Sequence, residues 1–357
     1  MPNTPKRELK YFQAIHEALD LCLEKDPSVY VMGLGVPDPK GVFGTTAGLQ
    51  KKFGDRRVMD MPTSENAMTG VAIGAALTGM RPVLVHQRID FALLAMDQMV
   101  SQAAKWHYMF GGKMKVPIVI RMLVGRGWGQ GPQHSQSLQA WFAHIPGLKV
   151  VMPATPYDAK GMLVTSIEDN NPVIFIEHRW LHNTFGEVPE GIYRVPLAEA
   201  KIARTGKDLT LAATSYAVLE ALRAAEALSK AGVEAEVIDL RSLRPLDLPT
   251  IFHSVRKTGR LLVADTGWKF GGFGAEVVAS VTEELFRNLK CAPRRLGMLD
   301  APVPTSPALS YLCYPGVPEI LTQVFEMMKI PREKLPPIEN VPLFESDIPD
   351  PQFAGPF

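Results

Sequence analysis

The chain has 357 residues, of which 46% are hydrophobic and 21% charged, and its formal net charge at pH 7 is +1. This balance describes a globular protein with room for two domains, and it gives no electrostatic reason to expect nucleic acid or an anionic membrane as a partner. No apolar run reaches the roughly 18 residues of a membrane-spanning helix, and the N-terminal segment lacks the apolar core of a signal peptide. Cys22, Cys291 and Cys313 show no metal-ligand spacing, so we expect a reducing compartment, either the cytoplasm or an organelle matrix.

Strand and helix patterns alternate along the first half of the chain, which is typical of an α/β fold. A helical pattern covers residues 8–25, and a longer helix is predicted over Ala92–Tyr108. The other predictions for this half are helices at 49–53, 138–144 and 156–169, and strands at 29–32, 83–85, 116–124, 149–152 and 173–177.

The alternation starts again after a segment at 178–204 that is rich in proline, glycine and isolated charges. The second half has predicted strands at 210–213, 234–239, 261–265 and 294–299, and predicted helices at 217–231, 248–257, 275–286 and 317–328. We therefore predict an α/β fold with two doubly wound domains, at 1–190 and 205–330, and a linker at 191–204. The proline-rich tail at 331–357 has no periodicity and is expected to be extended.

One segment organises the chain, the stretch from Met61 to Ser101, which begins with MPTSENAMTGVAIGAALTGM. Residues 62–64 form a helix start whose hydroxyl groups could cap free N–H groups, and Gly79 ends the helix. Glu65 is the one acid at the mouth of this apolar helix. It either favours the helix dipole in an ordinary way or is a buried carboxylate that handles a proton.

Other common kinds of site find little support. The glycines after the strand at 29–32 lack the third glycine of a dinucleotide fingerprint, and Pro37 blocks the helix start. The chain has neither G-x-S-x-G nor a Walker loop. His178 and His182 have the i, i+4 spacing of zinc ligands but lack a third ligand. A glycine-rich loop at 125–131 indicates either a close backbone approach or a surface loop.

Several segments taken together resemble one family. They are MPTSENAMTGVAIGAAL, DFALLAMDQMVSQAAK, GPQHSQSLQAWFAHIPGLKVVMPATPYDAKGML and EDNNPVIFIE, to which the second half adds VIDLRSLRPLD, VRKTGRLLVADTGWKFGGFGAE and DAPVP. From about residue 8 to residue 328, the chain is similar to the beta subunit of thiamine-diphosphate-dependent 2-oxo acid dehydrogenases. These are the decarboxylating components of pyruvate and branched-chain dehydrogenases, in the transketolase-like superfamily.

The resemblance implies roles for four residues. The glutamate that matches Glu65 hydrogen-bonds the aminopyrimidine ring of thiamine diphosphate and so promotes removal of the thiazolium C2 proton. The aromatic residue that matches Phe91 stacks on the same ring, and Gln87 matches a position that lines the pocket. His134 matches a histidine that orders the active-site loops or moves protons during acyl transfer. Phe91 as plain core and His134 as a loop-stabilising hydrogen bonder remain the alternatives.

The resemblance also implies metal ions and a partner. A structural potassium ion would bind at the positions of Ile118, Ser166, Ile167, Asp169 and Asn171. The family anchors the diphosphate through Mg²⁺ with a Gly-Asp-Gly motif that this chain lacks. An alpha subunit should therefore supply this half of the site in an α2β2 assembly. Gly70 and Gly74, one helical turn apart, fit a helix packed against a neighbouring subunit.

Two features depart from the family pattern. Arg88 falls where many bacterial relatives carry a bulky aromatic residue. It is either part of a salt bridge or a substrate-pocket residue that binds a second acidic or polar group on an unusual substrate. The proline-rich tail runs past the usual end of relatives, and we predict that it packs on a partner subunit.

The resemblance thus implies an enzyme subunit that is active only with its alpha partner. The pair would decarboxylate a 2-oxo acid oxidatively and pass the acyl group to the lipoyl arm of a dihydrolipoyl acyltransferase. One alternative keeps the cofactor in an acyloin-forming or transketolase-like synthase that makes C–C bonds. The other is a non-catalytic scaffold subunit.

Overall fold

The computed structural model describes residues 7–125 and 130–331, and the chain divides into two compact units. The first unit contains Met1–Val124 and Trp141–Leu197, and the second contains Gly125–Ala140 and Ala198–Phe357. The domain boundaries drawn from the sequence stay a prediction. The proline-rich tail beyond residue 331 and residues 126–129 of the glycine-rich loop lie outside the described residues.

The first part of the chain alternates strands and helices. The strands are β1 (Glu8–Lys10), β2 (Val29–Gly33), β3 (Val58–Met59), β4 (Arg81–His86), β5 (Val119–Val124), β6 (Lys149–Val151), β7 (Val173–His178) and β8 (Phe185–Glu187). The helices are α1 (Tyr11–Lys25), α2 (Leu49–Phe53), α3 (Glu65–Leu77), α4 (Ile89–Ala92), α5 (Ala104–Met109), α6 (Gln139–His144) and α7 (Pro156–Glu168).

A parallel sheet forms the centre of the first unit, with the strand order β6–β7–β5–β4–β2–β3. Every residue of β2, β5 and β7 is buried, as expected of parallel strands covered on both faces. The carboxyl ends of parallel strands meet at one edge of the sheet, where α/β proteins bind their ligands. The segments that follow β3, β4 and β7 therefore lie along that edge.

Two predicted helices of this unit are wrong in part. The helix predicted from residue 8 starts at Tyr11, because Glu8–Lys10 pairs as β1 with β8, antiparallel, and long-range backbone pairing overrides the helical pattern. Likewise, β8 lies inside the segment at 178–204 that composition alone marks as irregular. The helix predicted over Ala92–Tyr108 begins earlier, at Ile89, and a π-helical turn at Gln98–Ala103 interrupts it.

The second unit repeats the architecture. Its strands are β9 (Lys201–Arg204), β10 (Leu209–Ala213), β11 (Ala235–Asp239), β12 (Ser242–Arg244), β13 (Leu261–Trp268) and β14 (Arg294–Met298), and its helices are α8 (Tyr216–Lys230), α9 (Leu248–Thr258), α10 (Phe273–Leu285), α11 (Pro307–Ser310) and α12 (Val317–Met328). The sheet order is β14–β13–β10–β11–β9, parallel except for β9. The predicted α/β class is confirmed.

One helix of the second unit, α9, has local capping signals at both ends. Asp247 accepts a hydrogen bond from the Thr250 backbone N–H at 3.1 Å and starts α9. Gly259, with φ of +73°, ends the same helix in the left-handed conformation that favours glycine. Among the described residues, we find no helix whose length and hydropathy would let it cross a membrane.

Candidate active site

The carboxyl edge of the first unit's sheet carries residues that the sequence singles out. Glu65 opens α3 shortly after β3, and Gln87 and Arg88 follow β4 directly. The backbone at Arg88 is extended, with φ of −144° and ψ of 145°, and it leads into α4, which carries Phe91. The structure therefore places these side chains along one edge of one sheet.

Glu65 is a buried acid whose side chain has no partner within the described residues. It is 6% exposed, and its carboxylate makes no hydrogen bond or ion pair in 7–125 and 130–331. The predicted hydroxyl cap is wrong, since Ser64 occupies the N-cap position in an exposed site and its side chain makes no capping hydrogen bond. Because a buried carboxylate needs a hydrogen-bond partner, Glu65 is suited to a group that residues 7–125 and 130–331 do not supply.

Gln87 is held in place by the loop that follows β2. Its Nε2 donates a hydrogen bond to the Leu34 carbonyl oxygen at 2.9 Å, which fixes the side-chain amide. A Cβ at Gly35, where φ is +69°, would lie 2.9 Å from that Nε2. A Cβ at Gly33 would lie 2.5 Å from the Val85 carbonyl oxygen. Gly33 and Gly35, the glycines that resemble part of a dinucleotide fingerprint, therefore allow the backbone to pack closely around Gln87.

An ion pair that sequence reasoning missed lies in the sheet behind this edge. Arg121 on β5 donates to Glu177 on β7 through Nε at 2.7 Å and through Nη2 at 3.0 Å, and both side chains are fully buried. Burial alone would raise the pKa of Glu177, but the charge of Arg121 and hydrogen bonds from His182 and Arg121 lower it to about 2. An arginine inside the apolar strand PIVIRMLV is the signal that could have revealed this pair.

The histidines near this edge are buried and neutral. Burial lowers the pKa of His86 to about 4. The pKa of His182 also falls to about 4, chiefly by burial, and that of His178 falls to about 3 for the same main reason. Among the described residues, no group of three or more His, Cys, Asp and Glu side chains could hold a metal ion.

His134 belongs to the second unit. It ends a short 3₁₀ turn at Pro132–His134, is half-buried, and follows Gly131, whose φ is +64°. A Cβ at Gly131 would lie 2.5 Å from Thr305 Oγ1, so the last glycine of the glycine-rich loop makes a close approach. Gln133 and Gln136, which flank His134 in the sequence, line a cavity of about 460 Å³ together with Trp268 and Asp300.

A buried acid also supports the segment after His134. Asp265 Oδ1 accepts hydrogen bonds from Gln139 Nε2 at 2.8 Å and from Thr214 Oγ1 at 2.7 Å. Burial raises the pKa of Asp265 despite these hydrogen bonds, so the carboxyl group is harder to ionise than an exposed one. Sequence reasoning missed this network, because its members are far apart in the chain and belong to no motif.

The groups matched to the potassium site lie at one corner of the first unit. The carbonyl oxygens of Ile167 and Asp169 both accept from Arg81 Nη1, at 3.0 and 2.9 Å. The Ile118 carbonyl accepts from the Val173 N–H at 2.9 Å, and the Asn171 N–H donates to Asp169 Oδ1 at 2.8 Å. Carbonyl oxygens suit a potassium ion, and two of them already converge on a cation, the Arg81 guanidinium.

Two families of known domains match the chain. The family of transketolase pyrimidine-binding domains matches residues 7–183, and that of transketolase C-terminal domains matches residues 198–320. A split-gene transketolase described as an inactive beta4 tetramer superposes with a TM-score of 0.74 and 22% identity, covering 91% of this chain and 99% of that one. At this identity the superposition shows the fold.

Two relatives are closer in sequence. The acetoin:2,6-dichlorophenolindophenol oxidoreductase subunit beta of Cupriavidus necator is 45% identical over 90% of this chain and 98% of its own length. The pyruvate dehydrogenase E1 component subunit beta-2 of Oryza sativa is 42% identical over 88% of this chain and 85% of its own length. The chain therefore belongs to the transketolase-like, thiamine-diphosphate-dependent family that contains the beta subunits of 2-oxo acid dehydrogenases and of acetoin oxidoreductases.

Proposed function

We propose that this chain is the beta subunit of a thiamine-diphosphate-dependent 2-oxo acid dehydrogenase that works with an alpha partner. The pair decarboxylates a 2-oxo acid and passes the acyl group to a lipoyl arm of a dihydrolipoyl acyltransferase. The observation that carries the proposal is the buried carboxylate of Glu65, which has no partner among the described residues and lies at the ligand-binding edge of the sheet. Family membership makes the aminopyrimidine ring its natural partner.

The residues at this edge fit the cofactor ring. Thiamine diphosphate would supply a thiazolium ring whose C2 carbon, once deprotonated, can add to a 2-oxo group and whose positive charge can accept the electron pair left by CO₂. Glu65 holds a proton between its carboxylate and a ring nitrogen, in a site dry enough to make that hydrogen bond strong. Phe91, half-buried, offers an apolar face for stacking. The Gln87 amide, anchored on Leu34, lines the pocket.

His134 would act at the stage of acyl transfer. It is half-buried, beside the cavity lined by Gln133, Gln136 and Trp268. An imidazole can act as a general acid, and here it would donate a proton to the sulfur that is released when the lipoyl disulfide opens and its other sulfur takes the acyl group. We assign His134 this proton-transfer role, with ordering of its own loop as the alternative.

The partner would hold the diphosphate and Mg²⁺. The sequence contains no Gly-Asp-Gly motif, so this chain provides the aminopyrimidine half of the site, and an alpha subunit with that motif provides the other half in an α2β2 assembly. Ala67, Val71 and Gly74 form an exposed apolar face of α3, the helix that Glu65 starts. Such a face supports packing against a second subunit. Cys22, Cys291 and Cys313 form no disulfide within the described residues, which supports a reducing compartment, the cytoplasm or an organelle matrix.

A potassium ion at the corner of Ile118, Ser166, Ile167, Asp169 and Asn171 is a further proposal. The carbonyl oxygens of Ile118, Ser166, Ile167 and Asp169 each accept a hydrogen bond, and each can accept a second interaction. Neutral carbonyl oxygens of this kind suit a hard monovalent cation. The ion would share the Ile167 and Asp169 carbonyls with Arg81.

A second candidate keeps the cofactor and changes the substrate. The relative from Cupriavidus necator, at 45% identity, and one from Bacillus subtilis, at 42%, are both named acetoin oxidoreductase subunits. A hydroxyketone substrate would be cleaved at its C–C bond rather than decarboxylated. Supplying the purified complex with either a 2-oxo acid or acetoin, with the same lipoylated acceptor, separates the two candidates.

The central test is co-purification with the alpha subunit, followed by cofactor binding and proton exchange. Native mass spectrometry should show both subunits and the mass of thiamine diphosphate. Deuterium exchange at the cofactor C2, followed by NMR, should slow by at least about 100-fold in Glu65→Gln. Glu283→Gln, which changes an exposed acid on α10, is the matched control and should exchange like wild type. Unchanged exchange in Glu65→Gln would overturn the role of Glu65.

A further inference from the structure

Three neighbouring strands of the first unit each lead directly into residues that hydrogen-bond to one another. Asp60 follows β3, Leu34 and Gly35 follow β2, and Gln87 follows β4. The sheet order places β2 between β3 and β4, and the three strands are parallel. Their carboxyl ends therefore bring these residues to the edge at which parallel α/β sheets bind their ligands.

A single peptide group connects Asp60 with Gln87. The N–H group of Gly35 donates to Asp60 Oδ1 at 3.0 Å, and the carbonyl oxygen of Leu34 accepts from Gln87 Nε2 at 2.9 Å. This N–H and this carbonyl belong to one planar amide, the one between Leu34 and Gly35. The strands β3 and β4 lie two strand spacings apart, roughly 10 Å, and the peptide group spans that gap. Its plane is therefore held from both sides.

The carboxylate of Asp60 acts on backbone N–H groups. Besides the Gly35 N–H, its Oδ1 accepts from the N–H of Met61 at 2.9 Å. Asp60 is exposed and makes no ion pair in 7–125 and 130–331. A carboxylate that accepts from an amide N–H polarises the amide, which makes the carbonyl oxygen on its other side a better acceptor. Removing the carboxylate should therefore weaken the hold on Gln87.

Gly35 leaves room for the Gln87 amide to pack on the backbone. Its φ is +69°, a conformation that favours glycine. A Cβ at this position would lie 2.9 Å from Gln87 Nε2 and 3.0 Å from Asp38 Oδ2. Rotation of the peptide plane would turn the Leu34 carbonyl away from Gln87 and the Gly35 N–H away from Asp60. The two hydrogen bonds are therefore made or lost together.

The other end of the Gln87 amide is available to a ligand. Gln87 is half-buried, its Nε2 is engaged by Leu34, and within the part of the chain that the structure describes its Oε1 has no hydrogen-bond partner. An amide oxygen accepts N–H donors. A side chain that is already held in one orientation loses less conformational entropy when it binds, so fixing Gln87 should increase affinity.

We propose that Asp60 is a positioning residue of the cofactor site. Through the Leu34–Gly35 peptide it holds the Gln87 amide in the orientation that binds the aminopyrimidine ring of thiamine diphosphate. This inference rests on the function proposed above and adds to it a residue that acts through another. The opposing interpretation is that Asp60 only stabilises the turn before α3.

Cofactor binding is the first test. Thiamine diphosphate with Mg²⁺ is titrated by calorimetry into the complex of this chain with its alpha partner. Asp60→Ala removes the acceptor and should weaken binding by about 3- to 10-fold. Asp60→Asn removes the same charge but keeps Oδ1, and its affinity should stay within about twofold of wild type. Asp55→Ala, which removes an equal charge from another exposed position, is the matched control and should bind like wild type.

Two outcomes of this titration would overturn the proposal. One is equal affinity in wild type and in a folded Asp60→Ala, as judged by thermal melting. The other is an equal loss in Asp60→Ala and Asp60→Asn, since that would assign the effect to charge alone.

A double-mutant cycle separates positioning from stabilisation of the turn. If Asp60 acts through Gln87, Asp60→Ala combined with Gln87→Ala should bind the cofactor within about twofold of Gln87→Ala alone. Losses that multiply, or unchanged affinity in Gln87→Ala, would overturn the proposal. If Asp60→Ala does not fold, Gly35→Ala displaces Gln87 and leaves Asp60 in place. It should lose as much affinity as Gln87→Ala, and wild-type affinity in this variant would contradict the positioning role.

Turnover distinguishes this inference from the function on which it rests. In Asp60→Ala, the cofactor concentration at half-maximal rate should rise by about 3- to 10-fold, while kcat at saturating cofactor stays within about twofold of wild type. Wild-type cofactor binding and turnover in Asp60→Ala would refute the inference and leave the dehydrogenase intact. Weakened binding in Asp60→Ala but not in Asp60→Asn, without turnover of any 2-oxo acid by wild type, would support the positioning role and refute the dehydrogenase.

Discussion

Arg121 and Glu177 join two neighbouring strands through a two-point ion pair that solvent does not reach. The Nε–Oε1 distance is 2.7 Å and the Nη2–Oε2 distance is 3.0 Å, and Arg121 Nη2 also donates to Thr45 Oγ1 at 3.1 Å. Thr45 lies two residues after Phe43 in the loop that follows β2. The pair therefore couples the interior of the sheet to the loop that carries Phe43.

Removing one partner of this pair should destabilise the chain strongly. Arg121→Met leaves the Glu177 carboxylate buried without its cation, and we expect a loss of about 3–5 kcal/mol in the free energy of unfolding. The double variant with Glu177→Met removes both charges and should recover much of that loss. Urea unfolding of the full chain measures both. Arg256→Gln, on the surface, should cost less than about 0.5 kcal/mol, and equal losses in the single and double variants would contradict the account.

The buried histidines should make the fold sensitive to mild acid. Burial lowers the pKa of His86 from its ordinary 6.5 to about 4, so between pH 6.5 and pH 4 the unfolded chain binds a proton that the folded chain does not. Stability is therefore full above pH 6.5 and falls as the pH drops, by about 1.4 kcal/mol per pH unit for each such histidine. The effects of His178 and His182 have the same sign, because their pKa values are also lowered.

Urea unfolding at pH 7, 6 and 5 measures this slope. His86→Leu should reduce it by about 1.4 kcal/mol per pH unit, whereas His253→Gln, an exposed histidine on α9, should leave it unchanged. The pKa of Glu177 is lowered to about 2, so the stability that this acid contributes is present above pH 4.5 and is lost only between pH 4.5 and pH 2. A slope that is the same in wild type and His86→Leu would show that His86 is not buried as a neutral ring.

Much of the fold could be predicted, because its signals are local. Buried parallel strands appear as short apolar runs, and α9 is marked by Asp247 at its start and Gly259 at its end. The sequence singles out Glu65 because an acid in an apolar helix is rare. The residues that sequence reasoning missed come together only through the strand order. Phe43 and Arg179 come from loops after β2 and β7, and nothing in their local sequence predicts that they meet.

Replacing potassium in the buffer should show whether the carbonyl oxygens of Ile167 and Asp169 bind an ion. If K⁺ binds the folded chain at the Ile167 and Asp169 carbonyls, its presence at 100 times its dissociation constant adds about 2.7 kcal/mol to the free energy of unfolding. The melting temperature should then be higher in KCl than in choline chloride of equal ionic strength. An equal melting temperature in both salts would show that Arg81 alone serves these carbonyls.

The exposed face of α3 offers a test of assembly that is separate from the test of catalysis. A Cβ at Gly74 would meet no atom within 4 Å, and this helical glycine is exposed in the isolated chain. Gly74→Ala should therefore stabilise the isolated chain by about 0.5–1 kcal/mol, because alanine loses less conformational entropy in a helix.

The larger variant should separate folding from assembly. If α3 packs against the alpha subunit through Ala67, Val71 and Gly74, Gly74→Leu should leave the isolated chain folded and weaken the complex by at least about tenfold, since 1–3 kcal/mol is the usual cost of overpacking. Glu226→Leu adds an equal apolar side chain to an exposed position of α8 and is the matched control. Analytical ultracentrifugation with the alpha subunit gives the readout. If Gly74 packs against the alpha subunit, a leucine there cannot be accommodated unless the backbone of α3 or that of the alpha subunit moves. Assembly of Gly74→Leu at wild-type affinity would therefore place the subunit interface elsewhere.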